Sequence, residues 1–247
     1  MQWAFQRQFL YALTVLSVLV LLGIGGWYFF LYAPPTCFDG TQNQTEEGVD
    51  CGGVCQLLCK GPLVSALWAR AVPVAPGVYH AVALVRNPDS TSEIKKLPYT
   101  FSLFDSENVL VAERKGTMFL VPGESAPLFE ANIQTGQRIP ARTFVSFGEG
   151  AWSRGERVES PLRVISHDLS TTSLRLSASI ENQTPFPVEN VAITALLYDA
   201  QGTLVTASQT IVQVFSARER RDVFFTWQEP FSAPIVRIDV IPRIVSP

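Results

Sequence analysis

The hydrophobic positions follow two different rules along the chain. Residues 9–33 form a run of 25 residues with no charged side chain. As a helix rising ~1.5 Å per residue it would reach about 37 Å, enough to cross the ~30 Å hydrocarbon core of a bilayer with some tilt. Its aliphatic part, LTVLSVLVLLGIGG, gives way to WYFFLY, an aromatic cluster suited to a membrane–water boundary. Arg7 and the terminal amine are the positive charges before it, and no Lys or Arg follows until Lys60. The positive-inside tendency predicts a cytoplasmic segment 1–8, a transmembrane anchor 9–33 in contact with membrane lipid, and an exported remainder, a single-pass arrangement in the plasma membrane. A cleaved signal peptide has an apolar region of about 7–15 residues ending at a small-residue site. This run is longer and ends in Leu31, Tyr32 and Ala33 before Pro34, so an uncleaved anchor is expected.

From about Gly61 the period changes to two. AVALV, TFSLF, VLVAE, MFLV, LRLSASI, VAITALLY and FFTW are β-branched or aromatic runs bounded by turn clusters such as RNPDSTS, DSEN, VPGES and DAQG. Tyr99, Phe101 and Leu103 share one face, and Thr100, Ser102 and Phe104 the other. Ile193, Ala195 and Leu197 alternate with Thr194, Leu196 and Tyr198. Both faces carry apolar groups, as strands near the middle of a sandwich do. No long helical period appears past residue 60, so the expected class is all-β.

An internal repeat organises these strands. AVALVRNP, with Asn87, aligns to SASIENQT, with Asn182, at an offset of 95. FSLFDSEN, with Asp105, aligns to LLYDAQG, with Asp199, at 94; PGESAPLFE, with Glu124, aligns to ARERRDVFF, with Glu219, at 95. The expected domains are 64–150 and 160–247, joined by GEGAWSRGERVESP. Asp105 and Asp199 open hairpin turns, where a carboxylate accepts backbone N–H groups and Gly202 supplies a positive φ. Asn87 and Asn182 end strands for the same turn-capping reason.

Between anchor and strands, residues 34–60 hold all four cysteines: Cys37, Cys51, Cys55 and Cys59. An even, clustered set outside the cytoplasm implies disulfides, with three connectivities open. A bridge from Cys37 to Cys51 would close a loop worth about 3 kcal/mol in the chain-entropy treatment. Two other chemistries compete. Four thiolates could hold zinc, though intervals of 13, 3 and 3 residues do not resemble paired CxxC knuckles. Asp39, Thr41, Asn43, Glu47 and Asp50 echo an EF-hand loop, which makes Asp39, Asn43, Glu47 and Asp50 candidate calcium ligands. Against calcium, Gln44 stands where glycine is required and Asp50 where a bidentate Glu belongs.

The segment is similar to a short motif, CxDGxxNxxExGxDCGGxC, that recurs in exported and surface-attached bacterial proteins. Cys37, Asp39, Gly40, Asn43, Glu46, Gly48, Asp50, Cys51, Gly52, Gly53 and Cys55 match it. The resemblance implies export and carries no activity. The strands resemble the FxLYD family of extracytoplasmic bacterial β-sandwich domains. Phe101, Leu103, Phe104 and Asp105 match the namesake motif, with Phe for Tyr; Leu197, Tyr198 and Asp199 match its latter half, with Ala195 where Phe is expected. The strand ending Arg86-Asn87-Pro88 also resembles late-embryogenesis-abundant type 2 domains. These resemblances imply two tandem immunoglobulin-like β-sandwich domains and a non-catalytic habit, behind one transmembrane helix and a disulfide-stapled linker.

Composition agrees and excludes some classes. The chain is 47% hydrophobic and only 17% charged, against about a quarter charged for an ordinary soluble chain. A net charge of −3 and a pI near 5.5 leave no basic field for nucleic acid. Catalytic patterns are thin. His167 and Asp168 are neighbours on an extended chain, so they point to opposite faces. His80 reads as a half-buried strand residue. Glu124 and Glu130 make a carboxylate pair only if the fold fixes their separation. Arg218, Arg220 and Arg221 are interleaved with Glu219 and Asp222, which reads as a solvated turn with local ion pairs, an acidic polymer or phosphate headgroup being the alternative. Trp68, Trp152 and Trp227 are core or interface residues, or an exposed aromatic ligand platform. No small-molecule substrate is evident. The expectation is a non-catalytic, membrane-anchored binding or scaffolding protein of the cell envelope with an envelope protein as partner. An accessory subunit of an envelope enzyme or transport complex and a calcium-stabilised stalk are the alternatives.

Overall fold

The computed structural model describes residues 2–30, 35–157 and 159–245. Residues 31–33 of the expected anchor and Pro34 of the cysteine segment lie outside the described residues, as do Val158 in the expected connector and residues 246–247 of the second expected domain. The chain divides into two compact units, Met1–Cys55 and Gln56–Pro247.

The first unit begins with helix α1, Gln2–Phe30. Its Gln6–Phe29 stretch of 24 residues has a mean hydropathy of 2.2 and no part buried in protein. A helix that is apolar all round needs an apolar surrounding, either a protein core or lipid. By length, about 36 Å, and by composition it can cross a membrane as an anchor or act as a signal sequence. The rest of the unit is a set of turns closed by a disulfide between Cys37 and Cys55, whose Cα atoms are 5.6 Å apart. Of the three open connectivities, the structure adopts this one rather than a bridge from Cys37 to Cys51. Cys51 and Cys59 are disulfide-bonded as well, and no described cysteine is free.

The second unit is built of antiparallel strands. They are β1 (Ser65–Ala75), β2 (Val78–Arg86), β3 (Ser92–Phe104), β4 (Leu110–Leu120), β5 (Ser125–Gln134), β6 (Arg142–Phe147), β7 (Trp152–Arg154), β8 (Leu162–Ser170), β9 (Arg175–Asn182), β10 (Val188–Tyr198), β11 (Leu204–Phe215), β12 (Arg220–Thr226) and β13 (Arg237–Ile244). Four small sheets result: β1-β2-β5, β4-β3-β6 with β7 also on β3, β12-β9-β8, and β11-β10-β13. The order β1-β2-β5 has its counterpart in β8-β9-β12, and β4-β3-β6 in β11-β10-β13, when each strand is advanced by seven places.

Alternation explains the cores. Ala81, Ala83 and Val85 of β2 and Leu128 of β5 pack in one buried cluster with Tyr99, Phe101 and Leu103 of β3. A second cluster joins Leu176, Ala178 and Ile180 of β9 to Ile193, Ala195 and Leu197 of β10 and to Val223 and Phe225 of β12. The other face of β10 is also buried, and here the structure supplies the reason for its double hydrophobicity. Leu196 and Tyr198 meet Val72 of β1 and Val82 of β2 in a third cluster that joins the two halves of the strand region. Trp68 stands edge-on to Tyr198 there, with ring centroids 6.3 Å apart.

The stretch between the two halves differs from a plain connector. Trp152 lies in β7, pairs with Ile94 of β3 and is 5% exposed in the first cluster. A long aromatic side chain next to a sheet edge gains more from burial than a linker position would allow. Packing favours glycine at 116: opposite Tyr99, a Cβ there would lie 2.3 Å from the phenol oxygen. That gap lets the ring lie over β4 and the hydroxyl donate to Glu130 Oε1 at 2.6 Å. Burial first, and then Glu130, hold the Tyr99 phenol well above its usual range.

Candidate functional site

The polar residues that align at matched offsets in the sequence are turn-builders. Asn87 and Asn182 are fully buried. Asn87 Nδ2 donates to the carbonyls of Ser92 and Val121, at 2.8 and 3.0 Å, and its Oδ1 accepts the Asp89 N–H. Asn182 Nδ2 donates to the carbonyls of Phe186 and Ser216, at 2.7 and 2.9 Å, and its Oδ1 accepts the Thr184 N–H. Each amide fastens a strand end to one nearby carbonyl, four or five residues on, and to one 34 residues away. Asp105 Oδ1 accepts the N–H groups of Glu107 and Val109, and Asp199 Oδ1 those of Gln201 and Thr203. The Val109 N–H, with Arg138 and the Glu107 N–H adding to it, holds the Asp105 carboxyl below the usual carboxylate range. Asn108 at φ 64° and Gly202 at φ 74° take the equivalent left-handed turn position. Phe101, Leu103 and Leu197 are core, Tyr198 lies in the seam between halves, and Phe104 is half-buried against Phe144. The matched motifs therefore do structural work.

Glu124 and Glu130 are not brought together as an acid–base pair. Glu130 accepts from Tyr99. Glu124 accepts the Val121 N–H and holds Arg243 of β13, with Nε to Oε1 at 2.7 Å and Nη2 to Oε2 at 3.2 Å. Arg243 also donates to the Phe119 carbonyl and lies 4.1 Å above the Phe119 ring. This bidentate clamp ties the β4–β5 turn of the first half to the last strand of the second. Sequence reading missed it, because 119 residues separate the partners and nothing local announces the pair.

The basic cluster is already engaged, but only Arg221 makes the expected local ion pair; Arg218 and Arg220 reach chain 35 and 41 residues away. Arg218 donates to the Gln183 carbonyl, Arg220 to Ser179 Oγ at 2.8 Å, and Arg221 to Glu219 Oε1 at 2.7 Å. The Ser216 N–H first, and then Arg221, keep the Glu219 carboxyl low. His167 and Asp168 are exposed on β8.

In the cysteine loop, Asp39 accepts the N–H groups of Thr36 and Thr41, the Thr41 hydroxyl and the Asn43 side-chain amide. Those bonds, the Thr36 N–H foremost, pull its carboxyl far below the usual range. Asp50 accepts the N–H groups of Asp39 and Gly40. So Asp39, Asn43 and Asp50 form one network, while the exposed Glu47 carboxylate makes no hydrogen bond among the described residues. Glu46 is buried, with Oε1 3.1 Å from Cys55 Sγ. Cys37, Glu46 and Cys55 have donor atoms within 4.8 Å of one another, but the two sulfurs are joined to each other. Calcium in this loop is a proposal with a direct test. Because protein donors already satisfy the Asp39 and Asp50 oxygens, EDTA is expected to leave the melting temperature of the oxidised chain unchanged. A fall of several degrees, reversed by calcium, would establish the ion.

A cavity of about 440 Å3 opens between the halves. Its walls come from the β1–β2 hairpin (Pro73, Tyr79, His80), from β11 (Thr206, Ser208) and from the chain after β12 (Trp227, Phe231). His80 Nδ1 accepts the Asn132 N–H at 3.1 Å, which puts the ring proton on Nε2, and burial lowers its pKa so that the neutral form holds. Its ring packs 4.9 Å from that of Phe129. Trp227 and Phe231 meet edge-to-face at 5.4 Å, and the Trp227 Nε1 is sealed from solvent without an acceptor. Of the three tryptophans singled out in the sequence, Trp152 is core, Trp68 flanks the seam and Trp227 lines this cavity.

No protein-family model matches the chain, and no curated protein matches it. Among solved structures it resembles red sea bream transglutaminase at a TM-score of 0.24 and 11% identity. The match covers 78% of this chain, which spans 30% of the length of that one, and at this similarity it carries no argument about fold or activity.

Proposed function

We propose that the protein is a non-catalytic binding or scaffolding protein of the cell envelope, anchored by α1 with its N-terminus in the cytoplasm and its strand region displayed outside. The observation that carries this reading is the conjunction of an unburied apolar helix with a cysteine segment, from Cys37 onward, that holds no free thiol. Disulfides persist in oxidising compartments and are rare in the cytosol, which favours export of everything after the helix. The strand region is read as two copies of one immunoglobulin-like sandwich, of the kind the FxLYD resemblance implies. Matched strand order and the matched amide and carboxylate turns support that reading. Clusters shared between the copies would make them one rigid body, and a rigid display suits a scaffold.

The test is membrane extraction followed by intact mass. The protein is expected to stay with membranes after an alkaline carbonate wash and to run at its full 27.2 kDa. A soluble product that has lost the helix would replace the anchor with a cleaved signal sequence.

A further inference from the structure

We infer that the cavity between the two halves is a binding site for a neutral carbohydrate, with Tyr79, Trp227 and Phe231 as stacking walls and His80, Thr206 and Ser208 as readers of its hydroxyl groups. The inference names a ligand class for the binding reading above and rests on it. Three observations carry it.

The first is place and size. Clefts between packed domains are the common position for small ligands, and about 440 Å3 falls within the ~300–1,000 Å3 of such sites. The second is unspent polarity. Thr206 is only 8% exposed, lines the cavity, and its hydroxyl makes no hydrogen bond among the described residues. Unlike the sealed Trp227 Nε1, this oxygen opens to solvent, and the cavity is where a ligand can take its hydrogen bond. The His80 Nε2–H and the Tyr79 and Ser208 hydroxyls also make no hydrogen bond among the described residues, while His80 Nδ1 is already occupied. The wall thus offers a ring N–H donor and hydroxyls that both donate and accept, the complement of a polyol.

The third observation is the pairing of these groups with aromatic faces and the near absence of charge. The faces of Tyr, Trp and Phe rings are negative, and the C–H groups on one side of a sugar ring present the matching positive edge. Among the described residues, Glu229 is the one charged residue in the lining, with no Lys or Arg to hold an anion. Acidic sugars and phosphates are disfavoured on that ground. A proline-rich peptide also docks in aromatic grooves, and the displacement experiment below separates it from a sugar.

The experiment is saturation-transfer NMR and calorimetry on the full chain in lipid nanodiscs, with maltotriose, cellotriose and di-N-acetylchitobiose as neutral probes and trigalacturonic acid as the anionic one. At least one neutral probe is expected to bind saturably, and the anionic probe not to bind. Thr206→Val should weaken binding about tenfold through loss of one hydrogen bond, with Thr206→Ser restoring it. Tyr79→Phe should weaken it less. Circular dichroism melts confirm that each variant is folded, and Ser208→Ala serves as a second probe should Thr206→Val melt early. Silence from every neutral probe would overturn the inference. So would binding unchanged in Thr206→Val and Tyr79→Phe, or displacement of the sugar by a polyproline peptide. None of these results touches the anchored-display reading, which is tested separately by carbonate extraction, intact mass and topology.

Discussion

Asn87→Ala is expected to destabilise the strand region by about 3 kcal/mol, and Asn182→Ala by a similar amount. Each amide is fully buried, donates twice to backbone carbonyls and accepts once or more. Alanine removes both donors and the acceptor, although the Val121 and Ser216 carbonyls keep the Glu124 and Glu219 N–H groups and the Phe186 carbonyl keeps the Thr184 hydroxyl. Unpaired buried polar groups cost about 1–3 kcal/mol each, and partial relaxation toward solvent reduces the sum. For a unit of this size, where 1 kcal/mol moves the melting temperature by about 2–4 °C, thermal denaturation should record a drop of about 6–12 °C. Asn87→Asp is a sharper variant, because it keeps the shape and the acceptor and loses both donors, so it should destabilise comparably. A change within about 1 °C for either alanine variant would contradict the turn-fastening role assigned to these residues.

Arg243→Ala is the second large effect, again about 3 kcal/mol. The Arg243 side chain is 11% exposed and the Glu124 side chain 19%, so the pair is largely buried. Removing the cation strands a carboxylate that water reaches poorly and frees the Phe119 carbonyl and ring face. Breaking a buried pair on one side costs about 3–5 kcal/mol, and the lower figure suits the residual exposure. Because both residues act on one contact, Arg243→Ala and Glu124→Ala should be strongly non-additive in a double-mutant cycle, with a coupling of about 1–2 kcal/mol. Glu124→Ala alone should cost more than its share, since it also releases the Val121 N–H. Additive costs would mean that the clamp does not hold the two halves together.

Both variants bear on what could be read from the amino-acid order. Local chemistry was legible. The alternation of Tyr99, Phe101 and Leu103 against Thr100, Ser102 and Phe104 reports which face is buried, and it does so without knowledge of the partner. The residues Asn87, Asp105 and Glu124 and their counterparts stand at matched offsets because each closes a turn within a few residues of itself. The apolar helix was also plain, although α1 begins at Gln2, ahead of the uncharged run, because Arg7 and its polar neighbours are compatible with a helix.

Contacts between distant segments left only indirect traces. The second apolar face of β10 was visible, with Leu196 and Tyr198, but what covers it, β1 and β2, was not. The Arg243 clamp and the cavity walls join residues more than a hundred positions apart, and no periodicity encodes such a meeting. Trp152 was legible as a core or interface residue although it stands in the expected connector, but what it packs beside, the edge of β3, was not. The disulfide pairing was open for the same reason: spacing alone admits every connectivity, and the turns around Gly52 and Asp39 that bring Cys37 to Cys55 are tertiary facts.

The central claim is a strand region held outside the cytoplasm by an uncleaved helix. Protease treatment of sealed, right-side-out membrane vesicles, read by antibodies to tags on each end, tests it most directly. The C-terminal tag is expected to be lost while the N-terminal tag survives on a short membrane-bound fragment. Survival of the C-terminal tag in vesicles that release it once permeabilised would place the strands in the cytoplasm and contradict the account.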